Sequence, residues 1–285
     1  MIRTGLAYHA PEQPAEACSL LAKHGDNAAV LGGGTMLLPS MGRGERTHDH
    51  VVDLRRLGLS GISATEELVE IGAMSTYSSV LEAELDGVAV LVKLASSGIT
   101  GGKQLRNQGT VGGSASYANP ASDIPGVLVA AGAQLVLEGS TGPREVAASA
   151  FYVDAFVTTR RPDEYLSMIR VARRPVRVGY YKLKLSESSW PIATGSAVVE
   201  VADGRVASAT VTLGGVCATP FTVDVSALLD ESGVFQGGDG ELGELVDERM
   251  GDPWHDELAP ASYRKQVAGV IARRALQQIS RGGDQ

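Results

Sequence analysis

Two glycine-rich segments constrain this 285-residue chain more than any other feature. The first is Leu31-Gly32-Gly33-Gly34-Thr35-Met36-Leu37-Leu38-Pro39; the second is Gly109-Thr110-Val111-Gly112-Gly113-Ser114. Each adjoins a short apolar segment and offers consecutive backbone N–H groups with few side chains in the way. Glycine lets a backbone turn tightly and come close to a ligand. Successive N–H groups in such a turn form an anion-binding nest. Two nests in one domain suit a pyrophosphate gripped from two sides, which points to a dinucleotide such as FAD. Neither segment has the GxxxxGK[ST] spacing of a P-loop, and no G-x-G-x-x-G joins a first strand to a helix. For one glycine run alone, a tight turn that binds nothing is the plainer explanation; two runs together weigh against it.

Composition narrows the class. With 44% hydrophobic and 20% charged residues the chain can bury an ordinary core. A net charge of −8 disfavours nucleic acid or an anionic membrane as partner, since both need a basic face. Arg160, Arg161, Arg170, Arg173, Arg174 and Arg177 form a local basic stretch. It reads as a solvated loop, with a docking surface for an acidic partner as the alternative. Cys18 and Cys217 are the only cysteines, too few for a disulfide framework or a self-contained iron–sulfur cluster. His48 and His50 flank Asp49, but no further ligand is near in sequence, so they read as solvent-exposed and no metal is expected. Met1 to Ala10 lacks an apolar signal region. The apolar run Val127 to Leu137 contains Gln134 and is too short to span a bilayer. A cytoplasmic protein is expected.

Periodicity predicts a helix over Pro14 to His24 ending at Gly25, and a strand over Ala28 to Leu31 running into the first glycine segment. Further strands are expected at Val51 to Leu54, Leu68 to Ala73 and Gln134 to Glu138. Helices are expected at Thr76 to Leu85, Val88 to Ser97 and Asp123 to Ala131. Near residue 165 the texture changes to antiparallel strands: Tyr165 to Val171, Val176 to Leu185, then Ile192 to Val201 and Val206 to Leu213 joined by Asp203-Gly204. Val223 to Val246 reads as helical with polar turns. Tyr263 to Ile279 is the longest helix candidate, with Tyr263, Val267, Val270 and Ile271 on its apolar face. Arg274 falls on that face by spacing and must snorkel or find a partner. Ser280 to Gln285 is expected to fray. The fold class is α+β, with a domain boundary at 165/166 and a subdomain split near residues 57–60.

Several motifs occur in a fixed order. Gly32 to Pro39 resembles A-G-G-T-x-L-L-P, and Ile71-Gly72-Ala73-Met74-Ser75-Thr76 resembles I-G-A-x-T-T. Arg106 to Ser114 resembles R-N-x-G-T-I-G-G-N, and Asn119 to Pro125 resembles D-P-A-A-D-L-P. Pro162 to Leu166 resembles P-G-E-L-L, and Tyr180 to Leu183 resembles Y-E-K-F. In this order they resemble the FAD-binding medium subunit of the molybdenum hydroxylases, the family that includes the flavin parts of xanthine dehydrogenase and aerobic carbon monoxide dehydrogenase. The likeness runs from about Tyr8 to Arg274.

The resemblance implies a two-subdomain FAD-binding domain of the PCMH-type flavin fold over residues 1–165, and a C-terminal α+β domain with an antiparallel sheet over 166–285. It implies that Val30, Leu31, Gly32, Gly33, Gly34, Thr35, Met36 and Leu37, with Thr110, Gly112, Gly113 and Ser114, wrap the pyrophosphate of a non-covalent FAD. Asp123 would accept hydrogen bonds from a ribose or the adenosine side, Leu166 would pack near the flavin ring, and Lys182 would lie near the isoalloxazine. The molybdenum cofactor and two [2Fe–2S] clusters would sit on a large and a small partner subunit, in a dimer of heterotrimers. This chain would pass electrons through FAD to an external acceptor, with no acid–base pair or nucleophile of its own. A free-standing flavin oxidoreductase of the same fold is the alternative. The chain departs from the pattern at Met36, where Asp or Ser is usual, at Ser114, where Asn is usual, and at Ser186 and Ser189, which replace an Arg and an Asp.

Overall fold

The computed structural model describes residues 5–279. The expected fraying of Ser280 to Gln285 lies outside the described residues. The chain begins with a small parallel sheet. Strands β1 (Ala7–His9), β2 (Ala28–Leu31) and β3 (His50–Asp53) pair in the order β1-β3-β2. Helix α1 (Pro14–His24) has Pro at its start and stops where Gly25, at φ 52°, donates its N–H to the Leu21 carbonyl. It buries Ala17, Cys18 and Leu21 against Val52 and Leu54 on one face of the sheet. Helix α2 (Leu37–Arg43) covers the other face, where Met41 meets Ala29, Leu31 and Val51.

A five-stranded antiparallel sheet follows. It comprises β4 (Ile62–Ala64), β5 (Leu68–Gly72), β6 (Gln134–Gly139), β7 (Gly142–Ala147) and, after the short ribbon β8 (Tyr152–Asp154) and β9 (Val157–Thr158), the central strand β10 (Tyr165–Ala172). Its face is covered by α3 (Tyr77–Glu82), α4 (Val90–Ser97), α6 (Val111–Tyr117), α7 (Asp123–Ala130) and α8 (Ala148–Phe151), while α5 (Gly102–Gln108) packs on α3. Thr76 caps α3 by accepting from the Ser79 N–H.

The last unit is the antiparallel sheet β11 (Val176–Lys184), β12 (Pro191–Ala202), β13 (Arg205–Gly214) and β14 (Phe221–Asp224), in sequence order. The Asp203-Gly204 turn has positive φ at both residues, 52° and 76°, as the twist of a two-residue hairpin demands. Helices α9 (Asp239–Arg249) and α10 (Ala261–Ile279) complete this unit, and α10 lies along β11 and β12. Gly195 lets α10 approach: a Cβ there would sit 3.0 Å from the Ile271 carbonyl oxygen.

Three expectations change. Strand β10, assigned above to the C-terminal unit, pairs on both sides with β5 and β6. Both of its edges are taken by N-terminal strands. The segment from Val223 to Val246 holds β14 and a 3₁₀ turn, and only Asp239–Arg249 is α-helical there. The buried face of α10 is Arg264, Ala268, Ile271, Ala272, Ala275, Leu276 and Ile279, while Tyr263 and Val270 are exposed. Ala268, Ala272 and Ala275 share this face with Ile271, Leu276 and Ile279, and Ala275 and Ile271 lie against Gly195 of the sheet. Arg274 does find its partner: its guanidinium lies 5.0 Å from the Tyr181 ring centroid and donates to the Tyr181 hydroxyl.

Candidate cofactor cleft

The two glycine segments meet backbone to backbone. A Cβ on Gly33 would collide with the Gln108 carbonyl, and one on Gly112 would lie 2.5 Å from the Ala73 Cβ. Glycine is therefore required at Gly33 by the approach of one segment to the other, and at Gly112 by the backbone that follows β5 at Ala73. The second segment is not a free nest. Thr110 is the N-cap of α6, its hydroxyl accepting from the Gly113 N–H at 3.1 Å. Val111, Gly112 and Ser114 donate their N–H groups to the carbonyls of Ser75, Ala73 and Thr110. The first segment is different. Among the described residues, Gly32, Gly33 and Thr35 donate to no acceptor in the chain. The free amides thus come from one side, and the second segment buttresses them.

One cleft gathers most of the nominated residues. Val30, Gly32, Gly33, Gly34, Thr35, Met36, Leu37, Thr110, Gly112, Gly113, Ser114 and Leu166 all line it. Leu31 does not; strand alternation turns it into the apolar cluster with Met41. The residue before Leu166, Tyr165, also lines the cleft, and the β10–β6 ladder is bulged between Leu166 and Met168. The Ser114 hydroxyl is bonded to that of Tyr77. Burial pushes the Tyr77 phenol up to about 12, so it stays neutral.

Electrostatics and unpaired polar atoms describe what fits. The cleft is lined by Arg46, Arg160 and His48 and by no Asp or Glu, in a chain of net charge −8. Arg46 lies over the Tyr117 ring, 5.3 Å from its centroid. Arg160 donates to the carbonyls of Arg161 and Glu164, and burial lowers its pKa. Two buried hydroxyls of the lining, those of Ser40 and Tyr165, have no hydrogen-bond partner among the described residues. Buried polar groups are normally paired. Free amides, cations without acids, and orphaned hydroxyls fit an anionic, polar ligand. The rest of the basic stretch has other business: Arg161, Arg170, Arg173 and Arg174 pair with Glu164, Glu70 and Glu145, Asp86 and Glu200.

Asp123 and Lys182 are not among the lining residues. The Lys182 ammonium lies 2.9 Å from Asp123 Oδ2 and 2.8 Å from the Gly98 carbonyl, and the Tyr180 hydroxyl donates to Asp123 Oδ1 at 2.6 Å. Both side chains are buried, at 2% and 8% exposure. Burial raises the Asp123 pKa, with Lys182 opposing, and burial carries the Tyr180 phenol well above its ordinary value. Every Asp123 oxygen is engaged within the protein. The pair joins the start of α7 to β11, and so the flavin unit to the C-terminal sheet. Sequence reasoning missed Arg160, Tyr165 and Arg46 as lining residues. Only Tyr165 carried a local signal, as the neighbour of Leu166.

The family described as the FAD binding domain in molybdopterin dehydrogenase matches residues 3–173. This chain belongs to that family. The match ends at residue 173, between β10 and β11. Across its full length the chain is similar to the carbon monoxide dehydrogenase medium chain of Afipia carboxidovorans, 32% identical with 98% of each chain covered. It is 27% identical to the glyceraldehyde dehydrogenase medium chain of Sulfolobus acidocaldarius, with 90% of this chain and 92% of the relative covered. Among solved structures it superposes on reconstituted CO dehydrogenase from Oligotropha carboxidovorans with a TM-score of 0.89, 32% identity and 99% of each chain covered. FAD is the cofactor of this family, and the cleft's free amides and unpaired hydroxyls fit it.

Proposed function

We propose that this chain is the FAD-carrying electron-transfer subunit of a multi-subunit molybdenum hydroxylase. Its partners would be a large subunit with the molybdenum cofactor and a small subunit with two [2Fe–2S] clusters, in a dimer of heterotrimers in the cytoplasm. Electrons would arrive from the clusters and leave to an external acceptor. One observation carries this reading: an acid-free cleft with free amides, in a fold that matches medium chains from end to end. Two cysteines, both buried and free, fit a division in which the clusters are held elsewhere. Among the described residues no helix is long and apolar enough to cross a membrane.

FAD, when bound, supplies the redox chemistry. The chain's own residues bind and orient it. Gly32, Gly33 and Thr35 would present N–H groups to the pyrophosphate, with Arg46 and Arg160 as counter-charge. Tyr165 and Ser40 would find partners in polar atoms of the cofactor. Leu166 would exclude water beside the ring system. The buried Asp123–Lys182 pair acts at one remove, by holding β11 against α7.

The test is a visible spectrum of the purified chain, before and after heat release, with chromatography of the supernatant. Flavin bands and released FAD are expected. A colourless protein that also fails to take up added FAD overturns the reading. Copurification with iron–sulfur and molybdenum subunits separates the medium-subunit role from a free-standing flavin oxidoreductase.

A further inference from the structure

Three of the five histidines of the chain converge at one place that the cofactor cleft does not use. His9 is the last residue of β1, His24 the last of α1, and His50 the first of β3. In the parallel β1–β3 ladder, His9 stands opposite Val52 and His50 opposite Ala7, so the two imidazoles lie two places apart on the same face. The glycine cap at Gly25 ends α1 so that His24 stacks on His50, with ring centroids 3.5 Å apart. His9 Nε2 and His50 Nδ1 are 3.0 Å apart. One ligating nitrogen from each ring lies within 4.8 Å of the other two. His48, the neighbour that the sequence pairs with His50, is not in the group; its Nδ1 is 3.3 Å from the Asp26 carbonyl oxygen.

We propose that His9, His24 and His50 form a binding site for one divalent transition-metal ion of the zinc class. Neutral imidazole is the preferred ligand of such ions, and three protein ligands with an open fourth position make a complete set. A bound zinc would need ligand nitrogens about 2.0–2.1 Å from the metal. The three residues are all half-buried, and reaching that distance requires the side chains to rotate out of the stack. His24 sits at a helix end, and His9 and His50 sit on paired strands. No carboxylate belongs to the group, which disfavours calcium and magnesium. The ion would clip β1, α1 and β3 together, with His50 level with Ala28 at the start of β2 and His9 level with Val30. None of the three histidines lines the cofactor cleft, so the clip is structural and outside the redox chemistry.

The test uses the full chain without an affinity tag, stripped with chelator and then dialysed against zinc or cobalt. One zinc per chain is expected, with a rise in Tm of a few degrees and, for cobalt, the intense visible bands of a tetrahedral site. His24→Gln and His50→Gln should each lose the stoichiometric ion and the Tm rise, while His48→Gln keeps both. Circular dichroism and flavin content check that the variants are folded. Wild-type chain that binds no stoichiometric zinc, or zinc retained equally by folded His24→Gln and His50→Gln, overturns the proposal. Flavin retention is read separately, so loss of the metal site and loss of FAD binding are distinguishable.

Discussion

At the residue scale, the cleft depends on groups of opposite kinds. Gly33 is small because the Gln108 carbonyl occupies the place of a Cβ. Gly33→Ala must push the two glycine segments apart, and we expect at least a tenfold loss of FAD affinity, read as the flavin-to-protein absorbance ratio after dialysis. Arg46 and Arg160 supply charge in a cleft without acids. Two unit charges about 4 Å apart interact by roughly 1–4 kcal/mol between bulk water and a protein surface. Arg46→Gln and Arg160→Met should therefore each weaken FAD binding by at least about threefold. The effect should shrink at high salt and vanish for riboflavin, which lacks the phosphates; fluorescence titration of both ligands decides it. Equal losses for riboflavin would show that the arginines act on the fold rather than on the phosphates.

At the element scale, buried ion pairs join pieces of chain that no local rule connects. Asp123 on α7 and Lys182 on β11 are paired out of water. Removing one partner leaves a buried charge, so Asp123→Leu or Lys182→Met should cost about 3–5 kcal/mol in denaturant unfolding. The double variant should cost less than the sum of the two. Glu164 works in the loop before β10. Its carboxylate takes two bonds from Arg144, at 2.6 and 2.8 Å, and one from the Arg161 N–H at 2.7 Å. Burial opposes ionisation, but these bonds prevail and hold its pKa below the ordinary 4.5. A depressed carboxyl contributes stability that is full above its unfolded pKa and lost as pH falls through the folded one. Glu164→Gln should thus destabilise by about 1.5–3 kcal/mol at neutral pH, with the difference from wild type shrinking below pH 4.5. A difference that stays constant down to acid denaturation would exclude this role.

At the scale of the whole molecule, the described residues form three sheets of three or more strands, each with its own helices, besides the two-stranded β8–β9 ribbon, and the cleft is built where the first two meet. The parallel sheet supplies the free amides, and the antiparallel sheet supplies Tyr165, Leu166 and the capped start of α6. The C-terminal sheet contributes no lining residue and is tied on through Lys182 and Tyr180. That arrangement suits a subunit whose cofactor must be held by one part and presented to partners by the rest. Expressed with its neighbouring subunits, the chain should copurify with iron and molybdenum. Metal analysis of the complex checks this, and a flavin-loaded chain that never associates would favour the free-standing alternative.

Much of this was legible in the sequence because it rests on short-range rules. Helix α1 and its stop at Gly25, strand β2 running into the glycine segment and the Asp203-Gly204 hairpin follow from period, capping and backbone freedom; the site residues were implied by the family resemblance, and twelve of the fifteen line one cleft. Tertiary structure decided the remainder, where partners are distant along the chain. Strand β10 joined the N-terminal sheet because β5 and β6 offered it two edges. Arg264, wholly buried in α10, was kept off the solvent face by the Ile192 and Gly215 carbonyls and Asp256. Asp123 met Lys182 rather than the cleft, fifty-nine residues on, and three scattered histidines met one another. Local sequence determines which backbone shapes are allowed. Which charges and rings face each other depends on how the sheets pack, and packing is a property of the whole chain.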